Sequence, residues 1–187
     1  MRKGFLFSIS LILLIGTFAY SLGGSEAFEY VGTSKCKMCH KSEKAGQQFT
    51  IWSESKHAKA FETLATPKAK EIAKGMGIED PQTSDACLKC HATAAAVPAD
   101  KRPAAVVLED GVSCESCHGP GSAYKKKSIM EAIYSGEEDG AKYGLVTPDE
   151  KLCKSCHNEE SPTYDKSKPF DFAKRSKEIA HPVPKAE

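Results

Sequence analysis

The sequence predicts a mainly α-helical protein with extensive coil, and three observations support this fold class. Short apolar stripes recur at helical spacing, prolines and glycines interrupt them repeatedly, and no segment alternates apolar and polar residues convincingly. The chain has 187 residues, among them 8 cysteines and 6 histidines. A chain of this length is expected to form one domain.

The N-terminus has the features of a secretory signal peptide. Two basic residues stand near its start, an apolar run covers residues 5–18, and Ser25-Glu26-Ala27 offers small residues for cleavage. We therefore expect residues 1–27 to be removed during export, which predicts a periplasmic protein with one domain at residues 28–187. The apolar run is a little short for a membrane span, and we expect no stable span after cleavage.

The charge balance argues against one broad class of function. The sequence holds 26 lysines and arginines against 25 aspartates and glutamates, which gives a net charge of +1 at pH 7. Proteins that bind nucleic acid through its phosphates need a basic face. We therefore expect no nucleic-acid partner.

All eight cysteines belong to four copies of one pattern, Cys-x-x-Cys-His, which is the attachment signature of c-type haem. Two thiols three positions apart lie on one side of a helical turn, where both can form thioethers with one porphyrin. The histidine that follows then faces the iron. The predicted haem-attaching residues are Cys36, Cys39, Cys87, Cys90, Cys114, Cys117, Cys153 and Cys156. The predicted proximal iron ligands are His40, His91, His118 and His157.

Two other uses of the cysteines explain the pattern less well. A disulfide framework has no need of the histidines, and paired zinc sites leave four identically placed histidines without a purpose. The sequence therefore predicts four covalently bound haem c groups, each with an iron. Because the chain is short, the haems themselves are expected to form much of the apolar core and to lie close together.

Two helices are predicted between the first and second motifs. Residues 42–64 are expected to form one long helix, with its apolar positions at Phe49, Trp52, Phe61 and Leu64. A second helix is expected to begin at Thr66-Pro67, where a possible N-cap precedes a proline, and to end at Gly75 or Gly77.

Later segments are assigned by the same rules. A helix is predicted at residues 122–134, which carry an apolar stripe that precedes Gly136. A capping box is predicted at residues 147–150, where it opens into the fourth motif. The last helix is predicted at residues 169–180, before Pro182. Residues 97–103 and 158–169 are predicted loops, and residues 106–108 form a possible short strand without a convincing partner.

Only two histidines, His57 and His181, remain outside the motifs. Closely packed c-type haems usually carry a second histidine, which keeps the iron low-spin and lets it change oxidation state with little rearrangement. We therefore expect both residues to bind iron as distal ligands. Two histidines complete at most two of four irons, so at least two haems must lack a second histidine.

The order of these features resembles the tetrahaem cytochrome c family of cytochrome c-554. The resemblance runs from about Phe28 to His181 and rests on the four motifs together with Trp52, the segment His57-Ala58-Lys59-Ala60 and the segment at residues 111–121. It implies a mainly helical fold with haems in stacked and perpendicular pairs, and a role in periplasmic electron transfer.

The resemblance also implies roles for single residues. His57 corresponds to the distal ligand of the fourth haem, His181 to that of the third, and the haem on His91 is five-coordinate. The family pattern places a further histidine soon after Gly-Pro-Gly, as distal ligand of the first haem, but this chain has none there. The residues in that stretch that could bind the iron are Tyr124, Lys125, Lys126, Lys127 and Met130. We favour the interpretation that the three lysines form a solvated basic run and that Met130 packs in the core. The haem on His40 is then open or weakly ligated.

The leading functional hypothesis is a periplasmic electron carrier that exchanges electrons with redox partner proteins. One alternative is a redox enzyme that reduces nitric oxide, peroxide or a similar small molecule at the open haem on His91. That chemistry needs proton-moving groups, and if both spare histidines bind iron only Arg102 and Arg175 remain for this role in the domain. A second alternative is a subunit of a larger multihaem redox complex.

Overall fold

The computed structural model describes residues 28–183, and this part of the chain is mainly α-helical with much irregular structure and no strand. The predicted fold class is confirmed. The predicted signal peptide lies outside the described residues. The helices are short, and none between residues 28 and 183 is long and apolar enough to cross a membrane. The α-helices are α1 (Thr33–His40), α2 (Gln48–Ser53), α3 (Ala60–Thr63), α4 (Pro67–Gly75), α5 (Asp85–His91), α6 (Cys114–His118), α7 (Lys127–Ser135), α8 (Glu150–Lys154) and α9 (Phe172–Ile179).

Three of the α-helices begin at side-chain caps. The Thr66 hydroxyl accepts a hydrogen bond of 3.2 Å from the Ala69 N–H at the start of α4, as the threonine and proline predict. The predicted capping box is wrong, because the N-cap lies two residues after Thr147. Asp149 caps α8 by accepting a 2.7 Å hydrogen bond from the Leu152 N–H. Asp171 caps α9 in the same way, so this helix is shorter at its N-terminal end than predicted.

The single long helix predicted at residues 42–64 is wrong. Turns separate α2 from α3, and the intervening backbone also bonds to a distant segment: the Val112 N–H donates to the His57 carbonyl at 2.9 Å. The Trp52 indole N–H donates to the Val112 carbonyl, also at 2.9 Å. A β-carbon at Gly111, which has φ of 64°, would lie 2.6 Å from the His57 oxygen. These long-range contacts break the helix and fix the position of His57.

Two smaller predictions also fail. Residues 122–126 form a turn, so α7 begins only at Lys127. The reason lies in Tyr124, whose buried side chain donates a 2.6 Å hydrogen bond to the Gly119 carbonyl and holds the chain in the turn. The possible strand at residues 106–108 does not form, and a 3-10 helix at Leu108–Asp110 follows instead. The two predicted loops, at residues 97–103 and 158–169, have no helix or strand.

The apolar core of the polypeptide is small. Within residues 28–183, one cluster of buried residues comprises Leu64, Leu88 and Ala92, and it links α3, α5 and the 3-10 helix through partly buried neighbours. Among residues 28–183, one of the largest fully buried side chains belongs to a charged residue, Glu115. So little buried hydrocarbon stabilises a domain only weakly.

Candidate haem-binding site

Each of the four motifs lies on or begins in a short helix, and three of them end where their helix ends. α1, α5 and α6 terminate at His40, His91 and His118. The fourth motif continues past α8, and the His157 N–H still donates a helical hydrogen bond of 3.1 Å to the Cys153 carbonyl. The helical turn places both thiols of a motif on one side, as covalent attachment to one porphyrin requires.

Three of the motif histidines are oriented through Nδ1. The His91 Nδ1 lies 2.7 Å from the Ala60 carbonyl oxygen, the His118 Nδ1 lies 3.2 Å from that of Val146, and the His40 Nδ1 lies 3.3 Å from Oε1 of the Gln48 amide. An Nδ1–H that donates to an oxygen leaves the lone pair on Nε2, where a metal can bind. These second contacts therefore suit the ring orientation that a metal ligand needs.

Both spare histidines face motif histidines across a gap. The ring centroids of His57 and His157 are 6.0 Å apart, and those of His118 and His181 are 5.9 Å apart. Two imidazoles on opposite sides of one metal have ring centres about 6 Å apart, because each metal–nitrogen bond is about 2 Å long. In addition, the buried Nδ1 of His181 has no hydrogen-bond partner among the described residues. An unpartnered buried nitrogen is costly, and the two pairs fit an iron bound between them.

The environment keeps these imidazoles neutral, which is the form that binds metal. Burial, together with the neighbouring His157, lowers the pKa of His57. Burial also lowers the pKa of His181, with a further contribution from the adjacent His118. His118 itself has a pKa lowered mainly by burial, and the proximity of His40 adds to the effect.

The cysteines bring the motifs together in a definite order. We call the contact of Cys36 with Cys114 the first–third junction, and the contact of Cys90 with Cys156 the second–fourth junction. A thiol–thiol hydrogen bond at the first–third junction lowers the pKa of Cys36 and raises that of Cys114. At the second–fourth junction, burial and then Cys156 raise the pKa of Cys90 to about 11.

The third and fourth motifs are also neighbours, and this proximity connects the two junctions. Burial, followed by the nearby Cys153 and Cys156 thiols, raises the pKa of Cys117, so the third motif lies beside the fourth. Within residues 28–183 no group of three or more histidine, cysteine or acidic side chains is placed to hold a metal ion by itself. The described residues therefore do not form a four-ligand zinc site.

The residues in the stretch after Gly-Pro-Gly have other partners or face solvent. The Tyr124 hydroxyl is bonded to the Gly119 carbonyl, and burial raises the pKa of Tyr124, which keeps it a neutral phenol. Lys125 and Lys126 are exposed, and Lys127 pairs with Glu131 at 3.5 Å. Met130 is half-buried on α7.

Two buried polar residues that hold the motifs together were not identified from the sequence. The Thr93 hydroxyl, two residues after His91, lies within 3.0 Å of the Gly111 carbonyl and of the hydroxyls of Ser113 and Ser116, which ties the second motif to the third. The other is Glu115, which occupies a variable position inside the third motif. Nothing in a Cys-x-x-Cys-His pattern marks such a residue as buried.

Comparisons with known proteins agree with this geometry. Residues 35–119 match a protein family described as cytochrome c554 and c-prime. Cytochrome c-554 of Nitrosomonas europaea is 33% identical over 167 residues, a match that covers 80% of this chain and 65% of that protein. The solved structure of reduced cytochrome c554 from the same organism superposes with a TM-score of 0.52 at 27% identity, over 81% of this chain and 78% of that one. The chain therefore spans about two thirds of the length of the curated relative.

Proposed function

This chain resembles the cytochrome c-554 family over most of its described length, and from that premise we propose that it is a periplasmic electron-transfer protein with four covalent haem c groups. The observation that carries the proposal is the contact order of the motifs, which forms one unbroken sequence of neighbours. Bound haem supplies reversible one-electron chemistry at its iron. The residues of this chain attach, orient and separate the four groups.

The proposed path runs through the motifs in the order first, third, fourth, second. Its first step crosses the contact of Cys36 with Cys114, and its middle step lies where Cys117 approaches Cys153. Its last step crosses the contact of Cys90 with Cys156. Since thioether sulfurs lie at the edges of their porphyrins, neighbouring sulfurs mean neighbouring haem edges, which is the condition for electron transfer between them.

The two middle positions of this path are those with paired histidines. We propose that His118 and His181 bind the iron of the third motif, and that His157 and His57 bind that of the fourth. The centroid distances of 5.9 Å and 6.0 Å support both assignments. Two strong ligands keep the iron low-spin, which minimises rearrangement on electron transfer.

The two end positions have no second histidine. All six histidines of the sequence lie between residues 28 and 183, and the pairs above use four of them, so His40 and His91 would each hold an iron without a second histidine. The arginines that a peroxide-reducing enzyme would need are bonded elsewhere: the Arg102 guanidinium donates to the Val97 carbonyl at 2.9 Å, and Arg175 pairs with Glu178 at 2.6 Å. This distribution favours transfer of electrons over chemistry at the open irons.

A basic face on α1 offers a docking surface at one end of the path. Met38 is 77% exposed, and Lys37 and Lys41 line the same surface without an ion pair inside residues 28–183. Lys35 and Lys44, close by in the sequence, are also exposed. An apolar side chain beside positive charges suits a redox partner with an acidic surface, and such attraction weakens as salt is added.

Intact-mass measurement of the purified holoprotein tests the cofactor content. The mass should exceed that of the processed polypeptide by four haem groups, and a polypeptide mass with disulfides and no haem would rule the proposal out.

For the docking face, we expect Lys37→Glu combined with Lys41→Glu to slow electron exchange with anionic ferricyanide and to accelerate it with cationic hexaammineruthenium. The matched control is Lys70→Glu with Lys74→Glu on α4, which should change both rates little.

A further inference from the structure

A buried carboxylate lies at the first–third junction. Glu115 is 2% exposed, and its two oxygens accept hydrogen bonds from three backbone N–H groups on two separate segments. Val31 donates at 2.9 Å and 3.2 Å, Gly32 at 2.9 Å and Gly121 at 2.7 Å. The side chain thereby fastens the segment before α1 to the Gly-Pro-Gly turn after α6.

This carboxylate is an uncompensated negative charge. The hydrogen bonds of its oxygens all come from backbone N–H donors, which is the arrangement of an ionised carboxylate and not of a protonated one. No lysine, arginine or histidine in residues 28–183 forms an ion pair with it. A charge held by backbone dipoles away from water acts on its surroundings with little screening.

The groups around Glu115 respond to this charge. Burial raises the pKa of Tyr30, and Glu115 adds to the increase. Burial, then Glu115, raises the pKa of Tyr124. Glu115 also opposes ionisation of Cys36 and Cys114, the two thiols that meet at the first–third junction. The charge therefore reaches the attachment points of two haems.

The second–fourth junction has a carboxylate of a different kind. Glu160 contributes to the raised pKa of Cys90. Its side chain, however, is 71% exposed and pairs with Lys89 at 2.6 Å. Solvent and the lysine both reduce the field of this charge. The two junctions thus form a natural contrast, with a buried unpaired carboxylate at one and an exposed paired carboxylate at the other.

We propose that Glu115 sets a lower reduction potential for the haems of the first and third motifs than for those of the second and fourth. The inference rests on the proposed function, since it requires the four haems. Reduction adds an electron to each iron, and a fixed negative charge nearby opposes that addition. Glu115 binds neither iron nor porphyrin and acts only through its electric field, so electron affinity increases along the contact order from the first and third motifs to the fourth and second.

The test is a redox titration of the holoprotein followed by electron paramagnetic resonance. Each junction contains one haem with two histidines and one with a single histidine, so low-spin and high-spin signals report both junctions. We expect Glu115→Gln to raise the midpoint of one low-spin and one high-spin signal, while the other two stay in place. The expected shift is at least a tenfold change in the reduced-to-oxidised ratio at fixed potential, which is about 59 mV for one electron.

Two variants serve as controls. Glu160→Gln removes the exposed carboxylate of the second–fourth junction and should shift every signal by less than tenfold in the same ratio. Glu115→Asp disturbs the same hydrogen bonds but keeps the charge, so its midpoints should stay nearer to those of the unmodified protein than to those of Glu115→Gln. A uniform shift of all four signals in Glu115→Gln, no shift, or an equal effect of Glu160→Gln would overturn the proposal.

A measurement on the unmodified holoprotein covers the case in which Glu115→Gln does not fold. The third-motif and fourth-motif haems both have two histidines, and His181→Ala and His57→Ala identify their signals. We expect the third-motif signal to have the lower midpoint, and the reverse order would contradict the inference. A protein without four haems would instead refute the proposed function, so the two failures can be told apart.

Discussion

The two junctions hold identical motifs by different means. At the first–third junction, a buried carboxylate bonds three backbone N–H groups, and Val31 and Tyr124 are buried beside it. At the second–fourth junction, the visible link is the exposed pair of Lys89 and Glu160. The second motif instead gains support from the apolar cluster around Leu88.

Because of this difference, the two junctions are expected to contribute differently to the placement of the haems. Breaking a fully satisfied buried network leaves several donors unpaired, whereas breaking a surface ion pair returns both groups to water. The first–third junction is therefore expected to fix the relative placement of two haems, and the second–fourth junction to depend on the haems themselves. The contrast is open to experiment in four ways.

Removal of a whole haem gives the largest expected effect. Cys114→Ala with Cys117→Ala deletes the third haem, which lies between two others, and we expect little folded holoprotein. Cys87→Ala with Cys90→Ala deletes an end haem and should leave a folded protein with three haems. Intact mass and circular dichroism distinguish these outcomes, and equal losses in both variants would show that the position of a haem in the path does not matter.

Loss of the buried carboxylate ranks next. Glu115→Ala leaves three buried N–H groups without acceptors, which is expected to lower the free energy of unfolding by about 3 kcal/mol or more. Glu160→Ala should leave it unchanged within error, because both partners are solvated. Denaturant unfolding of the two holoproteins measures the difference. A larger loss in Glu160→Ala would reverse the contrast between the junctions.

The paired histidines provide a smaller, local effect at each junction. His181→Ala and His57→Ala should each convert one low-spin iron to high-spin, on the third-motif and fourth-motif haems respectively, because the iron loses one strong ligand. The spin count by electron paramagnetic resonance reports this directly. An unchanged count in either variant would identify that residue as an ordinary histidine.

Tyr124→Phe has the smallest expected effect. The substitution removes the 2.6 Å hydrogen bond to the Gly119 carbonyl and should cost about 1 kcal/mol of unfolding free energy. The spin state of every haem should stay as it was, because the neutral phenol is bound to backbone and not to iron. A change in the high-spin signal would instead place Tyr124 at the first-motif haem.

The sequence contains most of the information about local chemistry. The four motifs, the threonine and proline at the start of α4, and the glycine after α7 follow from residue type and spacing alone, and the structure has helices at each of them. The predicted resemblance to cytochrome c-554 is confirmed by the family, sequence and structure matches. The predicted roles of His57 and His181 stay predictions, supported by their distances to His157 and His118.

What the sequence did not reveal depends on contacts between distant residues. The break between α2 and α3 results from hydrogen bonds to Val112, more than fifty residues along the chain. The burial of Glu115 results from two backbone segments that converge on it, one of them more than eighty residues away. Helical periodicity and cap residues describe only neighbours in sequence, so neither feature leaves a signal that these rules can detect.

Quantitative electron paramagnetic resonance of the fully oxidised holoprotein tests the central claim most directly. The proposed electron-transfer path requires four haem irons, two of them between facing histidines at its middle and two with a single histidine at its ends. The spectrum should therefore contain two low-spin and two high-spin ferric signals per protein. Four low-spin signals from the isolated monomer would contradict the account, because this chain has only two histidines to serve as distal ligands.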